Sequence, residues 1–342
     1  MAANNTETWQ DAVVVESTEV AAGIRRIVLE VQFAQAAEPG SHIDVVVDVE
    51  GQPHRRSYSV VESMDGGRRL AVSVFRTSSS RGGSIHMHLL RAGDTLRATT
   101  PLQNFPLRIG AAGYVLVAGG IGITAIAHMA DVLRRVNAHY RIVYAGRRRD
   151  AMAYLGELEA SHGDRLAAHI DAEGTALDVG ALVAGIPAGT EVYMCGPIRL
   201  MDAVRRAWAA RDLPLPDLRY ETFGNSGWFG PEEFTVRVPR LGVETIVGRD
   251  RSMLEALQDA GVDLMFDCRK GECGLCEVKI LGAEGRIDHR DVFLSERQQR
   301  AADRMCACVS RVAEGGPGGS GIRPGAGASR PASGRAVVSI DV

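Results

Sequence analysis

Short alternating runs of hydrophobic and polar residues fill the first part of the chain. Ala12-Val13-Val14-Val15, Ile24 to Val31, His42 to Val47 and Leu70 to Phe75 are such runs, and Pro39-Gly40 and Gly66-Gly67 punctuate them. Side chains alternate across a strand, so a period of two with frequent turn residues predicts short antiparallel strands. Several in succession predict an antiparallel β-barrel over residues 1–110.

From Tyr114 the period changes. Tyr114-Val115-Leu116-Val117-Ala118 is a continuous apolar run, as in a strand buried on both faces. A glycine turn follows, and then Ile126, Met129, Ala130, Leu133 and Val136 recur at helical spacing. Arg141 to Ala145 and Glu191 to Met194 read as further strands, with a helix beginning near Arg199. Strand alternating with helix predicts an α/β domain with a parallel, doubly wound sheet over 111–223.

A glycine-rich linker is expected over 224–233 and a third, α+β domain over 234–342. In that domain Phe234 to Val238 alternates cleanly. A helix opens at Ser252 with Glu255 as its capping-box partner, Gly261 closes it, and Ala336 to Ile340 forms a last strand. Residues 314–335 hold mainly Gly, Pro, Ser and Ala with Arg323, Arg330 and Arg335. Such a composition buries little apolar surface, and a flexible loop is expected.

Composition narrows the function classes. At 45% hydrophobic and 24% charged residues the 342-residue chain can build ordinary globular cores, two or three of them. A net charge of −3 argues against a general nucleic-acid or membrane-surface binder. Met1 to Glu7 has neither the basic nor the apolar region of a secretory signal, and no apolar run reaches bilayer length. A cytoplasmic protein is expected.

Cysteines carry the strongest chemical signal. Cys268, Cys273 and Cys276 form C-x4-C-x2-C, and Cys306 and Cys308 follow about thirty residues on. This is the plant-type ligand spacing for a [2Fe–2S] cluster, with three thiolates from one loop and the fourth from a distant segment. Gly271 and Gly274 between the ligands let backbone N–H groups turn toward the sulfurs. Zinc sites favour C-x2-C pairs, and disulfide frameworks favour short secreted chains.

Nucleotide signals are weaker one by one. Gly119-Gly120-Ile121-Gly122-Ile123-Thr124 lies between a strand and a helix, where glycines permit close phosphate approach, although such a turn is often a mere connection. Cys195-Gly196-Pro197 follows a strand at the carboxyl edge, where ligands bind in such sheets. In the first segment Arg56-Ser57-Tyr58-Ser59 and Arg81-Gly82-Gly83-Ser84 offer phosphate-pairing arginines, a ring that can stack and a glycine-led helix start. Arg147, Arg148 and Arg149 follow a strand end where a 2′-phosphate could be read, so NADPH stays open beside NADH. A solvated basic loop is the simpler reading.

R-x-Y-S, R-G-G-S, G-G-I-G-I-T, C-G-P and the C-terminal cysteine loop, in that order, resemble the phthalate dioxygenase reductase family, to which vanillate demethylase reductases also belong. His289-Arg290-Asp291 and Cys308-Val309-Ser310-Arg311 fit the same likeness. The resemblance implies an FMN-binding barrel, an NADH-binding domain and a [2Fe–2S] ferredoxin domain. It implies that Arg56 and Arg81-Gly82-Gly83-Ser84 hold the FMN phosphate, and that Ser57, Tyr58 and Ser59 line the flavin with Ser59 near its reactive nitrogen. Thr124 would reach the flavin, Gly120 and Gly122 would line the pyridine-nucleotide site, and Cys195 and Gly196 would lie near the nicotinamide. Phe223 either meets the flavin or anchors the linker. Cys268, Cys273, Cys276 and Cys308 would hold the cluster. Spacing alone favours Cys306 as the fourth ligand, whereas the C-V-S-R context favours Cys308. The implied activity is that of a reductase passing electrons one at a time to a terminal Rieske-type oxygenase. An electron relay without NADH turnover and a zinc-stabilised interaction protein are the alternatives.

Overall fold

The computed structural model describes residues 7–77, 80, 82–223, 227, 229–314 and 335–342. Arg81, part of the expected linker and nearly all of the expected loop over 314–335 lie outside the described residues. The chain divides into two compact units, Met1–Glu221 and Thr222–Val342.

The first unit opens with a closed antiparallel barrel. Its strands are β1 (Trp9–Ala21), β2 (Ile24–Val31), β3 (Ser41–Val49), β4 (Gln52–Met64), β5 (Arg69–Phe75), β6 (Thr95–Thr99) and the short β7 (Leu102–Gln103). The order is β4-β5-β2-β1-β6-β3, and β3 pairs back onto β4, which closes the ring and leaves β7 beside β3. Closure satisfies the edge N–H and C=O groups that an open sheet would expose. Alternate residues, among them Val14, Ile27, Leu29, Ile43, Val45, Val47, Leu70 and Val72, point inward to one core. Helix α1 (Gly83–Leu89) adds the fully buried Met87 to it.

A parallel sheet follows in the same unit. It runs β8 (Gly113–Gly119), α2 (Ile123–Arg135), β9 (Tyr140–Gly146), α3 (Leu155–His162), β10 (Leu166–Ile170), α4 (Val179–Ala184), β11 (Thr190–Cys195), α5 (Ile198–Ala210) and β12 (Leu218–Glu221). The strand order is β10-β9-β8-β11-β12, all parallel. Every residue of β8 is buried, as its apolar run requires. Helix α2 buries Ile126, Met129, Ala130 and Leu133. Val136, expected to extend that stripe, is exposed because the helix stops at Arg135 and Val136 is only its cap.

The second unit is a mixed sheet with two short helices. Its elements are β13 (Phe234–Val238), β14 (Val243–Val247), α6 (Met253–Asp259), β15 (Glu277–Glu284), β16 (Arg286–Asp288), α7 (Glu296–Ala301), β17 (Arg304–Cys306), β18 (Arg311–Ala313) and β19 (Ala336–Asp341). The sheet order is β14-β13-β19-β15-β17, with β16 and β18 as a separate pair. The expected capping box opens α6: Ser252 N–H donates to Glu255 Oε2 at 2.7 Å and Glu255 N–H to Ser252 Oγ at 3.2 Å. Gly261, at φ +79°, turns the chain just past its end. Among the described residues no helix is long and apolar enough to cross a membrane.

Trp208 of α5 is 1% exposed, and its indole N–H donates to the Pro214 carbonyl at 3.1 Å. Trp208→Ala leaves a large void and removes one of two donors to the Pro214 carbonyl, which keeps the Asp217 N–H, and is expected to destabilise the first unit by about 3–5 kcal/mol. A lowered urea midpoint for that unit's transition, followed by far-ultraviolet circular dichroism, checks this.

Candidate functional site

The parallel sheet reverses its winding between β8 and β11, and a ligand crevice opens at such a switch point, outside the carboxyl ends of the strands. Both glycine motifs sit there. β8 ends at Gly119 and β11 at Cys195, with Ala118 and Cys195 as register partners. The two loops touch backbone to backbone. A Cβ on Gly122 would lie 2.2 Å from the Cys195 carbonyl oxygen, and one on Gly196 would lie 3.0 Å from Gly119 Cα. Gly120 adopts φ +52° with open space where a Cβ would stand. The structure thus joins Gly120, Gly122, Cys195 and Gly196 in one place. Thr124, buried in α2, spends its hydroxyl on the Ile121 carbonyl at 2.9 Å and so braces this turn.

The barrel contributes β4. Arg56 and Tyr58 share one face of the strand, Ser57 and Ser59 the other. Tyr58 packs against the barrel core. Arg56 lies over the start of α1, where a Cβ on Gly83 would come within 2.9 Å of its Cγ and Nε. Gly82, at φ +82°, is flush against Val49, and Ser84 donates to Ser80 Oγ at 2.8 Å. The glycines therefore let a guanidinium arm and the uncapped first turn of a helix converge, a donor set that fits a phosphate. Ser57 donates to the buried Asp44 carboxylate. Ser59 is buried, and its hydroxyl donates to Glu221 Oε2 at 3.4 Å.

Glu221 escaped the sequence reading. It is 1% exposed, ends β12 and stands in register with Cys195. Ser59, Cys195 and Glu221, from three elements, thus surround one locality. The Leu218–Glu221 run carries no apolar pattern to mark it, and the partner of Glu221 lies 162 residues away.

Two of the three arginines after β9 are already engaged. Arg149 is bound bidentately by Glu173, at 2.9 Å twice, and reaches Glu159 at 3.2 Å. Arg148 pairs with Asp150.

In the second unit the cysteine loop crosses between α6 and β15. Backbone N–H groups of Lys270, Glu272 and Cys273 all point at Cys268 Sγ, each at 3.4 Å. The N–H of Gly271 serves Cys308, whose thiol also meets Cys276. Hydrogen bonds from the Cys306 and Cys308 thiols pull the pKa of Cys276 down. The same contacts, then burial, push those two thiols up. Cys306 faces Cys276, Cys308 and the Asp291 carboxylate. None of the six cysteines is in a disulfide. Among the described residues no three His, Cys, Asp or Glu side chains gather as the ligands of a single ion would.

Two glycines shape the loop. A Cβ on Gly271, at φ +76°, would lie 2.6 Å from Val309 Cγ2 and 2.9 Å from Asp291 Cα. One on Gly274, at φ +77°, would strike the Phe293 ring at 2.2 Å. Asp291 is fully buried and accepts from Leu294 N–H at 2.9 Å and Ser310 Oγ at 3.1 Å, which ties the H-R-D and C-V-S-R segments together. Backbone donors turned toward thiols, with no room left for side chains, fit a cluster held by four thiolates. Phe223 is half-buried and belongs to the second unit.

The 2Fe-2S iron-sulfur cluster binding domain family matches residues 236–313. The phthalate 4,5-dioxygenase oxygenase reductase subunit of Pseudomonas putida is 32% identical over 87% of this chain and 93% of its own. The solved structure of phthalate dioxygenase reductase, described as a modular structure for electron transfer from pyridine nucleotides to [2Fe–2S], superposes with a TM-score of 0.70 at 28% identity. It covers 98% of both chains. An intact type IV self-sufficient cytochrome P450 monooxygenase matches with a TM-score of 0.63 at 32% identity, over 98% of this chain but 41% of that one.

Gly274→Ala drives a methyl group into the Phe293 ring and strains a left-handed backbone position. Purified Gly274→Ala is expected to carry less than half the iron of the parent protein, and the added change Phe293→Ala to restore part of it. Iron and sulfide assays per chain check this.

Proposed function

The chain belongs to the phthalate dioxygenase reductase family, and on that premise we propose that it takes electrons from NADH and delivers them singly, through FMN and a [2Fe–2S] cluster, to an oxygenase. The observation that carries the reading is the set of three main-chain amides converging on Cys268 Sγ. Such an array stabilises a sulfur that carries negative charge, as a cluster ligand does.

When bound, FMN accepts a pair of electrons and releases them one by one, and the cluster carries single electrons. The residues of this chain hold and orient. Arg56, with the Gly82-Gly83 turn, supplies donors for the FMN phosphate. The Ser59 hydroxyl, held by donation to Glu221, keeps its lone pairs as acceptors. Gly120 and Gly122 admit the pyridine nucleotide to the backbone, and Cys195 packs directly behind Gly122. Cys268, Cys273, Cys276 and Cys308 are the cluster ligands in this reading. Cys308 is preferred to Cys306 because it receives the Gly271 amide. Six cysteines outside any disulfide suit a reducing, cytoplasmic setting.

NADH is the preferred donor. Arg148 and Arg149 are already paired with Asp150, Glu159 and Glu173, which weakens two of the three arginines at the strand end as readers of a 2′-phosphate. The partner is the terminal component of a Rieske-type system. A haem oxygenase is the second reading, favoured by the match to the P450 chain.

Under anaerobic conditions NADH should bleach both the flavin bands and the broad iron–sulfur absorption of the purified protein. NADH should exceed NADPH at least tenfold in kcat/KM for cytochrome c reduction. A colourless protein containing zinc would sink the proposal. Arg56→Ala is expected to weaken FMN binding by about 1.5–3 kcal/mol, the worth of a charge-assisted contact, measured by flavin fluorescence on dilution.

A further inference from the structure

Thr222 begins the second unit and is 3% exposed. Its Oγ1 donates to the Lys270 carbonyl oxygen at 2.5 Å and lies 3.0 Å from Glu272 Oε1. Its backbone N–H donates to the same carboxylate oxygen at 2.6 Å. Lys270 and Glu272 are two of the residues whose amides face Cys268 Sγ.

The Lys270 carbonyl shares a planar trans peptide with the N–H of Gly271, and no cis peptide bond occurs among the described residues. A donor held on that oxygen fixes the tilt of the plane, and it polarises the N–H on the opposite side. That N–H is the one given to Cys308. Thr222 therefore acts on both ends of the ligand set. One hydrogen bond orients the amide serving Cys308, and the grip on Glu272 steadies an amide serving Cys268.

We propose that Thr222 is a positioning residue that raises the reduction potential of the cluster by orienting the Lys270–Gly271 peptide and the Glu272 amide toward the thiolates. The proposal rests on the reading of Cys268, Cys273, Cys276 and Cys308 as cluster ligands. The direction follows from charge. Reduction adds one negative charge to the cluster, so amide donors stabilise the reduced form more than the oxidised one. Losing their alignment makes reduction harder.

The test uses the full-length holoprotein with Thr222→Val, which keeps the shape and removes the hydroxyl, and Thr222→Ser, which keeps the hydroxyl. The cluster is titrated with redox mediators and followed by electron paramagnetic resonance, with iron per chain measured alongside. Thr222→Val is expected to lower the reduction equilibrium constant three- to tenfold, a fall of about 28–59 mV for one electron. Thr222→Ser should stay near the parent value, and NADH should still bleach the flavin in both. Thr222→Ala, which cannot overfill the site, should fall with Thr222→Val. Loss of iron in both hydroxyl-free variants while Thr222→Ser retains it would make the hydroxyl a structural support of the cluster loop and overturn its role in setting the potential. A parent-like potential in Thr222→Val at full iron content, or an equal fall in Thr222→Ser, overturns the inference. A parent protein without any [2Fe–2S] signal would instead overturn the functional reading on which it rests.

Discussion

Thiolates that must carry negative charge inside a protein are the constraint around which the second unit is arranged. Burying such charge is costly unless donors are brought to it, and side-chain cations would add charge and bulk of their own. Backbone N–H groups solve the problem if they are released from strands and helices. The loop does this by running through left-handed positions at Arg269, Gly271 and Gly274. The displaced carbonyls then need partners. Gly271 O accepts from Val292 and Phe293, and Lys270 O accepts from Thr222. Asp291 completes the frame. Burial would raise its pKa, but the His289 imidazole 3.5 Å away and hydrogen bonds from Leu294 and Ser310 hold it below the usual carboxylate range. It stays an anion that can fasten Ser310, two residues beyond Cys308.

The same demand for bare backbone shapes the first unit. β8 and β11 lie side by side, so their outgoing loops must pass each other at contact distance. Cα meets Cα at Gly119 and Gly196, and Cα meets carbonyl at Gly122 and Cys195. Glycine is required here by packing as much as by any phosphate. This explains why G-G-I-G is a weak signal alone and a strong one beside C-G-P. The two motifs are a single structural event, because neither loop can take its path unless the other is trimmed.

Much of this was legible in the order of residues because it is local. Period-two runs marked the barrel strands, the apolar run at Tyr114 marked the central strand of the parallel sheet, and the Ser252–Glu255 pair marked a helix start that has both its capping hydrogen bonds. The limits were also physical. The Ala12–Val15 run showed only the middle of the thirteen-residue β1, because the outer parts of a barrel strand tolerate polar residues. Val136 kept the helical period after the helix had ended. Helices α3 and α4 are short, and each buries only two or three side chains, so no long period announced them.

The residues that hold the chemistry in place were the least legible, and consecutive positions show why. Glu221 matters through Ser59, 162 residues away, and Thr222 through Lys270 and Glu272, 48 and 50 residues away. Neither type of side chain is unusual, and neither spacing is fixed by a helix or a turn. Their roles exist only once the sheet has brought distant strands into register and the cysteine loop has folded over its own donors. Cys268 and Arg56 announce themselves because thiolate and guanidinium chemistry is scarce and specific. A carboxylate that orients a hydroxyl, or a hydroxyl that tilts a peptide plane, uses groups found everywhere in proteins. Motifs in a redox chain therefore locate the ligands, and only the hydrogen bonds of the fold reveal what tunes them.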